Sequence, residues 1–295
     1  MTTNATLSTF DDPTAPDLAS AFARDGYVIL DNAIDDDLVE ALKRDAARIC
    51  RGELGEVAAS PASTGPVDDE DLMRQFLCIH YPHKISGAAR TALHAPRIVD
   101  ALTRVIGSNV KAMQSMLFIK SEGKPGQAWH QDEFFIPTRD RSLTAVWIAV
   151  DDATVENGCL WVLPGSHRRG VLYPDREQRD PAFDCSIEAY DFPWEDADAV
   201  PVEIPAGSAI IFNGYLLHRS LQNSGRHGYR RALANHYMSA ESLLPWQQVP
   251  EGSHVGKHDF RDIVMIAGED PYRFKGTIDV ARPHSRPDQD GGCDR

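Results

Sequence analysis

The apolar pattern of this chain changes period near Val110, and that change limits the folds open to it. Upstream, Asp35 to Asp37 precede Leu38, Val39, Leu42, Ala46 and Ile49. Apolar residues three and four apart predict a helix with one buried face. Thr14, Pro16 and Asp17 predict an earlier helix start ahead of Leu18 and Phe22, with Gly26 ending it before the extended run Tyr27 to Leu30. A later helical stretch carries Ile98, Leu102, Val105 and Ile106. From Val110 the runs become short, β-branched or aromatic: Val110 to Ile119, Leu143 to Val150, Cys159 to Leu163, Val200 to Ile204, Ala209 to Phe212 and Tyr229 to Met238. Gly, Pro, Asn and Asp divide them, and Glu156-Asn157-Gly158 predicts a tight turn. Many short strands without intervening helices argue for a sandwich or closed barrel rather than a parallel α/β sheet.

The expected architecture is mainly β with flanking α-helices in a single domain. A helical part spans about 14–106, a strand-rich core about 110–240 and a polar tail about 249–295. Gly55 to Asp71 lacks any period and is expected to be a mobile loop, a candidate lid. Tyr173 to Ala199 is an acidic insertion between strands, placed where loops set specificity. The end of the tail, RPHSRPDQDGGCDR, is expected to be disordered.

Charge narrows the partners. Lys and Arg total 30 against 44 Asp and Glu, a net charge of −14, which argues against nucleic acid because phosphates would be repelled. No window approaches the roughly 18 to 20 consecutive apolar residues of a membrane span, and the start, MTTNATLSTFDDPTAP, has no signal-peptide pattern. A cytoplasmic protein acting on a small molecule is expected. Cys50, Cys78, Cys159, Cys185 and Cys293 form no Cys-x-x-Cys pair and are expected to be reduced thiols.

The chemistry concentrates in AWHQDEFF, Ala128 to Phe135. In an extended stretch, side chains at i and i+2 leave the same face, so His130 and Asp132 close on one metal ion while Gln131 points away. With 11 His and 44 acidic residues, about one or two His-x-acid triplets arise by chance, so the pair alone decides nothing. A third ligand from a later strand completes a two-histidine, one-carboxylate face, which leaves open positions and suits ferrous iron in oxygenases. His218 fits, after Ala209 to Phe212 and Gly214. The turn Asn223-Ser224-Gly225 then sends the chain back, returning Arg230 towards the metal. Its planar fork suits the far carboxylate of a 2-oxo acid whose other end chelates the ion. His236 lies on the same alternating face as Arg230 and is expected to line the cavity. His80, His83 and His167 are read as loop or packing residues, and Phe134 and Phe135 as facing either substrate or core.

AWHQDEFF, WIAVDDATVENGCLWVLPGSH, the early FARDGYVIL and the His218 to Arg230 segment together resemble the phytanoyl-CoA dioxygenase family of iron(II)- and 2-oxoglutarate-dependent oxygenases. The likeness runs over most of Phe22 to Met238. It implies a double-stranded β-helix, the cupin-like jelly roll, with His130, Asp132 and His218 on Fe(II). The family's 2-oxoglutarate contacts fall by position on Lys84, Met116, Trp147, Ser220 and Arg230. Gln114 matches a glutamine used for the same purpose in the related ectoine hydroxylases. The spacing from His218 to Arg230 is one residue longer than in some members, which leaves Arg231 as the alternative, while the Gly-aromatic-Arg pattern of GYRRAL favours Arg230. No catalytic side chain beyond the metal ligands is implied.

The implied activity is a dioxygenase that uses O2 and 2-oxoglutarate, hydroxylates a C–H bond of a small metabolite or natural-product intermediate, and releases succinate and CO2. Asp132 favours oxidation over halogenation, since halogenating relatives lack this carboxylate. The alternatives are an acyl-CoA hydroxylase, a desaturase, cyclase or epimerase with the same cofactors, and, from another class, a non-catalytic module that binds metal or 2-oxoglutarate.

Overall fold

The computed structural model describes residues 7–61, 67–184, 187–225, 228–243 and 261–287. Two sheets carry the core. The larger runs, strand beside strand, through Tyr27–Leu30, Ala209–Asn213, Thr144–Ala149, Arg230–Ser239, Val110–Lys120 and Phe76–His80, these six pairing antiparallel, while the short Thr9–Phe10 joins Tyr27–Leu30 in parallel. The smaller orders Val200–Val202, Leu160–Val162, His218–Ser220 and Gln127–His130. From Gln127 to Ser239 the chain passes repeatedly from one sheet to the other, the winding of a jelly roll. The two sheets form a sandwich and do not close into a barrel.

Alternation along the strands builds two different cores. On the inner face, Tyr27, Ile29, Ala145, Trp147, Ala149, Ile210, Phe212, Ala232 and Ala234 pack with Leu160 and Val162 of the smaller sheet. On the outer face, Val28, Leu30, Val146, Ile148, Ile211, Leu233 and Tyr237 share a cluster with the helices. Both faces are buried, so these strands read as nearly continuous apolar runs.

The helix Asp36–Cys50 starts where its sequence asks: the Asp35 carboxylate accepts the Leu38 N–H at 2.8 Å, satisfying one orphan donor. Its buried stripe, Val39, Leu42, Ala46 and Ile49, lies in the outer cluster, and each large aliphatic adds about 1.5–3 kcal/mol over exposure. The helix Leu18–Asp25 ends at Gly26, whose φ of 85° is left-handed. A Cβ there would stand 2.4 Å from His167 Nδ1, so this glycine also makes room for a packing histidine, as His167 was read.

Four expectations change. The tail is not uniformly loose: Val264–Ala267 pairs with Val110–Lys120, and His284–Pro287 pairs with Phe76–His80. The expected disordered end therefore supplies a strand, because the exposed edge of the large sheet offers backbone partners that a polar sequence does not advertise; residues 288–295 lie outside the described ones. Phe76–His80, inside the part expected to be helical, is a strand. The acidic insertion forms its own ribbon, Asp175–Glu177 with Ile187–Ala189, and Tyr173 and Ala189 pack on Trp129, Leu163 and Leu217. The expected lid ends in a short helix, Asp69–Met73, while residues 62–66 lie outside the described ones. Cys50, Cys78 and Cys159 are free and buried; Cys185 and Cys293 lie outside the described residues. Among the described residues no helix is long and apolar enough to cross a membrane.

Candidate metal and cofactor site

The strand carrying His130 stops at that residue, and Asp132 opens the short helix Asp132–Phe135. The i and i+2 relation survives because Gln131 between them stays extended, φ −127° and ψ 126°. Gln131 points away as expected: its amide donates to the carbonyls of Val171 and Tyr215 and accepts the Tyr173 N–H. His218 sits directly opposite His130 across the antiparallel pair. One ladder pairing and one change from strand to helix thus bring together ligands 88 positions apart in sequence.

Donor atoms of His130, Asp132 and His218 all lie within 4.8 Å of one another. Asp132 Oδ1 is 3.7 Å from His130 Nε2 and 3.6 Å from His218 Nε2. Donors roughly 2.0–2.2 Å from one ion lie roughly 3–4 Å apart, so little adjustment closes them on a metal. In both histidines Nδ1 hydrogen-bonds the carbonyl two residues back, to Ala128 at 2.8 Å and Leu216 at 3.0 Å. That bond places the proton on Nδ1 and leaves the Nε2 lone pair for a metal. Burial, then the neighbouring His130, pushes the His218 pKa down to about 4, which keeps its imidazole neutral and ligating. Burial opposes ionisation of Asp132, but the imidazoles of His218 and His236 outweigh it and hold the carboxyl well below its ordinary range. His236, expected only to line the cavity, meets Asp132 Oδ2 at 3.2 Å and orients the carboxylate.

Triad and sheet face open on one cavity of about 490 Å3. Gln114, Met116, Trp147, Ser220, Arg230 and His236 line it with the three ligands. Arg230 is 2% exposed, and its guanidinium stands 5.3 Å from the Trp147 ring centre. No carboxylate pairs with it among the described residues, and its Nε has no partner. Burial pushes its pKa down to about 10, leaving it charged at neutral pH with no anion beside it. Arg231 answers the alternative: it faces the other way and forms a two-pronged pair with Asp151 at 2.7 and 2.8 Å.

Lys84 is not brought to the cavity. After His80 the chain enters the 3-10 turn Pro82–Lys84, and the ammonium reaches both oxygens of Asp262 at 2.8 Å as well as Asp279. His83 is structural, its Nδ1 2.6 Å from Ser115 Oγ. His80 departs from its loop reading: it ends a strand, lines the cavity and stacks on His284 with centroids 4.5 Å apart. Phe135 lines the cavity and Phe134 does not. Sequence reasoning missed Arg286, which reaches the cavity from the tail strand, and Lys120, which lines a small pocket beside it. The signal for Lys120 was present: it follows Gln114, Met116 and Phe118 in strict alternation.

Residues 22–232 match the phytanoyl-CoA dioxygenase (PhyH) family. A phytanoyl-CoA dioxygenase of Arabidopsis thaliana is 40% identical over 122 residues, covering 40% of this chain and 42% of its own. Over the first relatives compared, the chain spans about half their length. Among solved structures, the apo non-heme monooxygenase ThoJ superposes with a TM-score of 0.64 at 22% identity, covering 86% of this chain and 85% of that one. The epimerase SnoN, in complex with Fe3+, alpha ketoglutarate and nogalamycin RO, gives 0.58 at 20% identity over 82% and 92%. These likenesses share the jelly roll. With a match over most of its length and a His-Asp-His triad at the cavity, the chain belongs to the phytanoyl-CoA dioxygenase family.

Proposed function

We propose that this protein is an Fe(II)- and 2-oxoglutarate-dependent dioxygenase that hydroxylates a C–H bond of a small organic molecule, releasing succinate and CO2. The observation that carries the reading is a buried arginine with no carboxylate partner among the described residues, in the same cavity as a His-Asp-His triad. An unpaired buried cation is costly, and a dicarboxylate that chelates the metal at one end supplies the missing charge at the other. The ion and the 2-oxo acid, when bound, supply the oxidising chemistry with O2.

The chain's own residues do the rest. His130, Asp132 and His218 would hold the ion, a ligand set that suits ferrous iron. Arg230 and Ser220 would bind the far carboxylate, and Trp147 lies against the guanidinium. Met116, Phe118 and Leu160 give that end apolar walls, which exclude water and strengthen the charge-assisted contacts. His80, Gln114, Phe135 and Ile136 line the remaining space. A volume of about 490 Å3 falls among small-molecule sites, roughly 300–1,000 Å3, which supports a small metabolite over an acyl-CoA ester. Epimerisation with the same cofactors is the second reading, supported by the fold shared with SnoN.

The test is an anaerobic titration of the apo-protein with Fe(II) and 2-oxoglutarate, read by the visible band of the chelate. Wild type is expected to show the band, and Asp132→Ala to bind iron at least about 100-fold more weakly and lose it. Folded wild type that binds iron without any band overturns the 2-oxoglutarate assignment. Succinate release then scores a substrate screen, and the product's mass separates hydroxylation, which adds one oxygen atom, from epimerisation, which adds none.

A further inference from the structure

Lys120 and Arg230 are direct partners across neighbouring antiparallel strands, and both are buried. Like charges placed opposite one another in a sheet repel, and burial removes the water that would screen them. A small pocket of about 20 Å3 adjoins the main cavity here, sharing Phe118, Gln127, Ser220, Arg230 and Arg286 with it. Its one lining acid, Asp184, is paired with Arg286 at 2.6 Å. Among the described residues Lys120 Nζ reaches neutral oxygens, Ser220 Oγ at 3.0 Å and the Leu221 carbonyl at 2.6 Å. Burial, then Arg230, holds its pKa well below the ordinary lysine range, the behaviour of a cation short of a counter-charge.

The turn expected at Glu156-Asn157-Gly158 makes this arrangement possible. Gly158 has φ of +84°, and a Cβ on it would stand 2.4 Å from the Leu221 carbonyl and 3.0 Å from Lys120 Nζ. The hydroxyl that Lys120 touches has one hydrogen and two lone pairs. The Gln127 N–H donates to Ser220 Oγ at 3.1 Å, and Lys120 Nζ donates to the same oxygen at 3.0 Å, which fills the second lone pair. The Ser220 hydrogen is thereby left for another acceptor, and Ser220 lines the cavity beside Arg230.

We infer that Lys120 is a positioning residue of the carboxylate end: it commits the Ser220 hydroxyl to donate into the cavity and selects 2-oxo acids that carry a second carboxylate. This rests on the 2-oxoglutarate reading. The experiment compares two probes by anaerobic Fe(II) titration: 2-oxoglutarate, and 2-oxopentanoate, which chelates in the same way but ends in a methyl group. Wild type, Lys120→Met, Ser220→Ala and the double variant are measured. Lys120→Met is expected to weaken 2-oxoglutarate by about 10- to 100-fold and leave 2-oxopentanoate within about twofold, which also shows that the site is folded. Because Lys120 acts through Ser220, the double variant should lose far less than the product of the two single losses.

Unchanged selectivity in Lys120→Met, or fully multiplicative losses in the double variant, overturns the inference while leaving the 2-oxoglutarate reading standing. Wild type that binds both acids equally, or neither, overturns that reading and this one with it. If Lys120→Met does not fold, Lys120→Gln, which keeps a donor of similar reach, is measured in its place. It should retain part of the selectivity that Ser220→Ala loses, and loss equal to that of Ser220→Ala counts against the inference.

Discussion

Arg230 and Arg231 are adjacent on one strand and live in opposite worlds. Arg231, on the outer face, is neutralised by Asp151, which also accepts its backbone N–H. Arg230, on the inner face, has an aromatic ring beside it and no carboxylate among the described residues. The outer face satisfies its polar groups within the chain because its task is to hold helices on the sheet. The inner face leaves buried groups short of partners, a deficit that stability alone would not retain and that a ligand repairs.

The largest expected effect divides the two arginines. Arg230→Met should weaken 2-oxoglutarate binding by about 100-fold or more, the usual scale for removing one member of a buried charge pair, while thermal stability holds or rises because an uncompensated charge has gone. Arg231→Met should do the reverse, leaving 2-oxoglutarate binding within about twofold and lowering stability by about 2 kcal/mol, since Asp151 loses its partner. Chemical denaturation and the chelate titration on both variants decide this. Equal binding losses in the two would erase the distinction between the faces.

A smaller effect is expected at the metal end. His236→Ala removes the 3.2 Å contact to Asp132 Oδ2 and should lower iron affinity by about 10- to 100-fold, as second partners of metal ligands do. Calorimetry with Fe(II) and no 2-oxo acid measures it; unaltered affinity would make His236 merely a wall of the cavity.

The smallest sits where the inner face meets the tail. Burial, then His284, lowers the His80 pKa from 6.5 to about 3. Between those values the unfolded chain takes up a proton that the folded chain refuses. The contribution is therefore intact above about pH 6.5 and is lost as pH falls towards 3. His80→Gln should lose less melting temperature than wild type across that window, and parallel curves would remove His80 from the acid response.

The local sequence carried much of this. Asp35 as a cap, Gly26 as a stop and the alternation of Gln114, Met116 and Phe118 act over a few residues, so periodicity and turn chemistry expose them. His130 with Asp132 was legible for the same reason, once Gln131 is extended. The position of Lys84 was not legible because its partners, Asp262 and Asp279, lie nearly two hundred positions away. Arg286 and the tail strand His284–Pro287 were invisible because edge pairing uses backbone atoms common to every residue.

By itself the sequence determined the period of each segment, the change at Val110, the ligand types and the family likeness, all properties of neighbouring side chains or of motif order. Tertiary structure alone decided that Arg231 turns away to Asp151, that Lys120 lies against Arg230 and Ser220, and that Asp132 is held by His236. Those outcomes depend on strand register, and a shift of one residue would turn each side chain to the other face.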